Sequence, residues 1–237
     1  MTDIEANVRR IRREIAEAAR ACGRDPKDIL LCAATKMNDA DAVRRAVAAG
    51  VDLCGENRVQ ELREKAPLGA YDPKPIHFIG RLQTNKVKYL VGKVGLIQSV
   101  DRLELVQALE KEAAKQSLRQ DILLEINIGG EESKGGFSPA EAAGLAARAA
   151  DFPHLHICGL MAIPPIAEKK GENRKYFAEI RQLAVDIGAK KYDNVSMDCL
   201  SMGMSGDFAD AIAEGSTMIR IGTAIFGARD YGQSSGR

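Results

Sequence analysis

Neither sign of charge dominates this sequence: 34 lysines and arginines stand against 33 aspartates and glutamates, a net charge of +1. So balanced a chain has no global electrostatic case for nucleic acid or an anionic membrane, and neither partner is expected. It also lacks the run of about 18 apolar residues that a membrane-spanning helix requires. The N-terminal segment is charged and amphipathic, which is not the pattern of a signal peptide. Cysteine is sparse and unpaired. Cys22, Cys32, Cys54, Cys158 and Cys199 are scattered singly, with no C-x-x-C among them. That pattern argues against a disulfide framework and against zinc, and points to reduced thiols in a cytoplasmic protein. Four of the five lie in or beside predicted strands, where thiols pack as small hydrophobes. Hydrophobic residues at 45% and charged ones at 28% are those of an ordinary globular protein.

What the sequence does contain is organised around the apolar run Ile29–Ala34, which ends in Thr35-Lys36. Six consecutive apolar residues fit a strand buried on both faces, as in a parallel sheet. A lysine at the carboxyl end of such a strand stands where α/β proteins place their chemistry. Before it, Ile4, Val8, Ile11 and Ile15 recur at helical spacing and predict a helix over 1–22, closed near Gly23. After it, predicted strands at 28–36, 51–55, 76–80, 95–99, 121–128, 155–162, 195–200 and 218–222 alternate with helical segments, the third of them over 84–91. Ser138-Pro139 supplies an N-cap and a first-turn proline to the helix that follows strand five. Eight cycles are what a closed (β/α)8 TIM barrel needs. An open doubly wound sheet would instead carry a G-x-G-x-x-G after its first strand, and none follows Lys36. The chain therefore reads as one barrel domain over 1–237, with an extra N-terminal helix and a loose tail over 231–237.

In such a barrel the carboxyl strand ends share one face. They bring together Lys36, Glu56-Asn57, Gly80 to Asn85 with His77 inside strand three, Asn127, Met161, Ser201 to Ser205, and Arg220, Gly222 and Thr223. Polar groups converging on one lysine suit Schiff-base chemistry. The segments after strands seven and eight, Ser201-Met202-Gly203-Met204-Ser205 and Gly222-Thr223, offer amides, hydroxyls and helix starts suited to a phosphomonoester. Arg220 interrupts an apolar strand and must find either an internal salt bridge or a ligand. His154 and His156 open strand six at the wrong end for chemistry. The glycine-rich loop 129–136 resembles a lid and lacks the lysine-plus-hydroxyl ending of a P-loop.

The series A-T-K at 34–36, G-E-N-R-V-Q-E at 55–61, H-F-I-G-R-L-Q-T-N-K at 77–86, S-K-G-G-F at 133–137, G-L-M-A-I-P at 159–164, L-S-M-G-M-S-G-D-F at 200–208 and R-I-G-T-A-I-F-G at 220–227 closely resembles the pyridoxal phosphate homeostasis protein family. It departs from that pattern at Ile76 and Arg81, where tryptophan and proline are common. The resemblance implies a barrel like the N-terminal domain of alanine racemase and of eukaryotic-type ornithine decarboxylase. It also implies Lys36 as the aldimine lysine for pyridoxal 5′-phosphate (PLP), with Ser201, Gly222 and Thr223 on the phosphate, Met204 and Ser205 in the same loop, and Arg220 against the pyridine nitrogen. Asn57 and His77 match positions near the cofactor.

Pyridoxal enzymes use the protonated ring as an electron sink, and an arginine there would leave the ring nitrogen unprotonated. A racemase also needs a second acid–base group, usually brought by another domain or subunit. The expected function is therefore a PLP carrier or buffer with little turnover. It would supply apo-enzymes by transient contact and exist as a monomer. The alternatives are a weak amino-acid racemase or decarboxylase with Lys36 as its base, and a module that senses PLP and contacts another protein.

Overall fold

The computed structural model describes residues 2–131, 135–167 and 169–227. Three residues of the expected lid and the expected C-terminal tail lie outside these ranges. The strands are β1 (Leu30–Ala34), β2 (Leu53–Glu56), β3 (Ile76–Phe78), β4 (Leu96–Val100), β5 (Gln120–Ile126), β6 (Leu155–Ala162), β7 (Val195–Ser201) and β8 (Met218–Ile221). They are parallel and close in chain order, β8 pairing back onto β1. The helices are α1 (Ile4–Ala21), α2 (Ala40–Ala48), α3 (Val59–Lys65), α4 (Leu103–Lys115), α5 (Pro139–Ala147), α6 (Arg174–Gly188), α7 (Phe208–Ala213) and α8 (Thr223–Phe226). No helix among the described residues is long and apolar enough to cross a membrane.

The expected (β/α)8 barrel is present, with local differences that have local causes. The first strand begins at Leu30 rather than 28, because Pro26–Asp28 makes a 3-10 turn capped by the Asp25 side chain on Lys27 N. Leu30 itself is 40% exposed, so the apolar run is not buried throughout. The segment expected to be helical over 84–91 is a 3-10 helix, Thr84–Tyr89. Ser138 does cap α5, in a reciprocal capping box with Glu141.

Two apolar layers hold the barrel. The larger lies between strands and helices. A smaller cluster, Cys32, Leu53, Leu96, Leu123, Met161 and Met218, comes from six different strands and plugs the barrel itself. Helix α1 spans the seam where the last strand meets the first. It buries Ile4, Val8, Ile11 and Ile15, each worth about 1.5–3 kcal/mol. Its polar side chains tie down the chain's other end: Asn7 Nδ2 donates to Ile225 O at 2.9 Å and Arg10 Nη2 to Ala224 O at 3.2 Å, and Arg24, just beyond the helix, donates to Ile212 O and Ser216 O.

Strand β6 changes register between Ile157 and Gly159, on both of its edges. At Gly159 an added Cβ would stand 1.9 Å from the carbonyl oxygen of Cys199. Both groups are backbone inside a closed sheet, so neither can step aside. We expect Gly159→Ala to cost about 3 kcal/mol or more, read as a lowered urea midpoint with the m-value unchanged.

Candidate functional site

Strand β1 stops at Ala34 and delivers Thr35 and Lys36 to the mouth. Thr35 is fully buried and Lys36 half-buried. What fixes this turn is a carboxylate in the next strand. Glu56 has no exposure, and its Oε1 accepts from Thr35 Oγ1 at 2.7 Å, Lys65 Nζ at 2.7 Å and Tyr71 Oη at 3.0 Å. Lys65 Nζ also donates to the carbonyl of Thr35 and to Glu61 Oε2. Glu61 in turn accepts the amide of Met37 at 2.7 Å, which holds Met37 at φ 61°. The residues on either side of Lys36 are thus tied to one buried ion-pair network. Burial and the Glu56 charge push the Tyr71 phenol far up, so it stays a donor.

A second polar layer crosses the barrel just above the apolar plug. Stepping two residues along a strand keeps the same face, so Gln98, Glu125, Ser201 and Arg220 overlie Leu96, Leu123, Cys199 and Met218. Arg220 is 5% exposed and, among the described residues, forms no salt bridge. Its Nη1 donates to both the carbonyl and Oγ of Ser201 at 2.6 Å, and Nη2 donates to Ala162 O at 3.0 Å. Ser201 Oγ donates to Gln98 Oε1 at 2.6 Å, and Gln98 Nε2 donates to His77 Nδ1 at 2.9 Å. This chain fixes the tautomer: Nδ1 accepts, so the neutral imidazole carries its proton on Nε2. Burial pulls His77 down to about 4.

The loops after β7 and β8 are less open than the sequence suggests. Ser201 is fully buried and its hydroxyl is engaged at both ends. Met204 is 38% exposed, but its amide donates to Asp207 Oδ1 at 2.7 Å. Gly203 has φ 95° and lies so close to α7 that a Cβ would meet Ala211 Cβ at 2.6 Å. Ser205 is half-buried, Gly222 half-buried and Thr223 exposed at the start of α8. Asn57 is half-buried on the turn after β2, and its Oδ1 is enclosed with no hydrogen-bond partner among the described residues. His154 and His156 lie at the far end of β6 and pair with Glu110 and Asp121.

Comparison with known proteins gives this mouth a family. The family of the alanine racemase N-terminal domain matches residues 2–230. The pyridoxal phosphate homeostasis protein of Aquifex aeolicus is 43% identical over 222 residues, covering 94% of this chain and 96% of that one. The chain belongs to the pyridoxal phosphate homeostasis protein family. A solved protein of Bifidobacterium adolescentis superposes with a TM-score of 0.87 at 35% identity, covering 95% of this chain and 97% of that one. PipY of Synechococcus elongatus, solved with PLP bound, gives 0.77 at 33% identity, covering 90% and 99%.

Two residues of the mouth escape sequence reasoning. Gln98 links Ser201 to His77. Glu125, half-buried in β5, is raised to about 7 by burial and by the nearby Asp101 charge, against the pull of Arg220 and Arg81. A glutamate inside Ile-Leu-Leu-Glu-Ile is a visible signal; Asn127, at the strand's end, masks it.

His77 and Glu125 give opposing pH dependences. The histidine's folded value lies below its ordinary 6.5, so its contribution falls as pH drops from 6.5 toward 4. The carboxyl's folded value lies above its ordinary 4.5, so its contribution is full below 4.5 and is lost as pH rises toward 7. Each is worth about 3 kcal/mol, so the wild type should show a nearly flat stability between those limits. Glu125→Gln should uncover a loss on acidification and His77→Asn a gain, both measurable by urea titration across pH. For the Lys36 clamp, either Glu56→Gln or Lys65→Met should cost about 3–5 kcal/mol, because each strands a buried charge or donor. The double substitution should cost less than the two singles together.

Proposed function

We propose that this chain binds PLP through Lys36 and acts as its carrier or buffer in the cytoplasm, supplying apo-enzymes by transient contact, with little or no turnover. The observation that carries this reading is the enclosed Asn57 Oδ1, beside the strand that delivers Lys36. An enclosed acceptor without a donor costs about 1–3 kcal/mol, and a ligand hydroxyl such as that of PLP would relieve it. The naming of the relatives and the PLP held by PipY support the same cofactor.

When bound, PLP supplies an aldehyde that condenses reversibly with a primary amine and a ring able to accept electrons. Lys36 provides the amine, held by its neighbours' bonds to Glu56 and Glu61. Gly222, Thr223 and Ser205 hold the phosphate, at the short helix that starts after β8 and the loop after β7. Met204 lies in that loop with its own amide already bonded to Asp207. Ser201 works one layer lower, orienting Arg220. Burial lowers the proton affinity of Arg220, but three hydrogen bonds to oxygen keep the guanidinium charged. Beside it, a bound PLP ring nitrogen would be kept unprotonated, which would weaken the electron sink. His77 has its Nδ1 occupied by Gln98, so it cannot serve as a base there, and the Tyr71 hydroxyl is committed to Glu56.

One observation favours a second reading, a weak racemase or decarboxylase: Glu125, at about 7, is poised to exchange a proton at the mouth. An absorbance scan of the purified chain with PLP, before and after borohydride, with mass analysis of the peptide around residue 36, tests the first. Lys36→Ala should lose the visible band and keep weakened binding through the phosphate loops. A chain that takes up no chromophore sinks the carrier reading. Turnover of an amino-acid panel that disappears with Glu125→Gln would establish the second.

A further inference from the structure

A cleft of about 580 Å³ opens between α3 and the Thr84–Tyr89 segment, on the β2–β3 side of the mouth. Arg58, Arg63, Arg81 and Lys86 line it, against one carboxylate, Glu64, which is bonded to Gln60. None of the four cations has an ion pair or a side-chain hydrogen bond among the described residues. Some arginines elsewhere are paired, Arg12 with Asp52, Arg45 with Glu5, Arg102 with Asp101 and Arg174 with Glu214, so what sets the cleft apart is how closely its cations stand together. The crowding is local. Arg63 lies 4.6 Å from the centre of the Tyr89 ring, Lys88 5.2 Å and Lys86 5.9 Å. One aromatic quadrupole gathers three like charges with no anion between them, an arrangement that a bound anion would relieve.

The lining says which anion. Three of the four cations are arginines, whose planar forks match tetrahedral or planar oxoanions in pairs, whereas lysine offers a point charge. Val59, Phe78 and Leu82 add an apolar floor beneath the charges. We propose that this cleft is a binding site for a small anion carrying more than one phosphate group, separate from the amine-bearing mouth. Asn57 lines the cleft as well as the mouth, so the two sites share a wall.

The proposal does not rest on the cofactor reading, and the experiment keeps the two apart. Inorganic pyrophosphate is titrated calorimetrically into the full chain after PLP has been bound and fixed by borohydride, which removes the mouth as a competitor. If the chain takes up no PLP, the unloaded chain is titrated. The expected result is one saturable site, with orthophosphate and citrate weaker at constant ionic strength. Arg63→Ala/Lys86→Ala, shown folded by circular dichroism, should weaken it at least tenfold, and the remote Lys190→Ala should leave it unchanged. Three outcomes overturn the proposal: no saturable heat at low-millimolar pyrophosphate, equal binding of citrate and pyrophosphate, or binding indifferent to the double substitution. Capture of a single-stranded RNA oligonucleotide through the same residues, without pyrophosphate binding, would assign the cleft to nucleic acid instead.

Discussion

A carboxylate with no access to water cannot stay ionised unless donors surround it, and Glu56 is surrounded on every side that matters. Thr35, Lys65, Tyr71 and the amide of Asn57 all donate to it. Those four belong to the ends of β1 and β2, to α3 and to the segment beyond it, so one buried charge sets the relative position of four pieces of chain. Lys36 inherits that order through its backbone: Thr35 before it and Met37 after it are both tied to the network. Fixing the backbone on both sides of Lys36 sets where its side chain leaves the strand end.

The strand that carries Lys36 has a buried charge in each neighbour, a glutamate in β2 and an arginine in β8. They are satisfied in different ways. Glu56 is neutralised by a lysine, so it exerts little net field at the mouth. Arg220 is held by neutral oxygens, and the acidic groups around it, Glu125 and Asp207, act on it without a direct ion pair. Ser201 is buried because its hydroxyl is the relay that lets the guanidinium, Gln98 and His77 satisfy one another.

Eight strand–helix cycles were readable because each apolar strand run is followed by turn residues, and α1, α2 and α5 open on side-chain caps. Lys36 was readable because it ends the most continuous apolar run. The inward or outward sense of Arg220 was not: both its flanks are apolar, and in a parallel barrel both faces of a strand are dry. Only the register that sets Arg220 opposite Cys32, a member of the interior cluster, places it inside. The Glu56–Lys65 pair was hidden for another reason. Lys65 closes α3 among charged residues and has the sequence appearance of a solvated helix end, yet the return of the helix onto β2 buries it to 7%. Gln98 and the cleft arginines were hidden likewise, since their meaning lies in which elements close on them.

Set side by side, the two groups of cations show how placement decides role. Arg220 is buried and fully bonded, so it can polarise what it touches but cannot move or be replaced without unsatisfied oxygens. Arg58, Arg63, Arg81 and Lys86 are held only by packing and an aromatic ring, so they can rearrange around an incoming charge. A rigid cation suits an atom whose protonation must be held constant. A loose group of them suits a ligand that arrives and leaves. Both stand on the carboxyl face of the same barrel, on opposite sides of Lys36, because β8 and β2 flank β1.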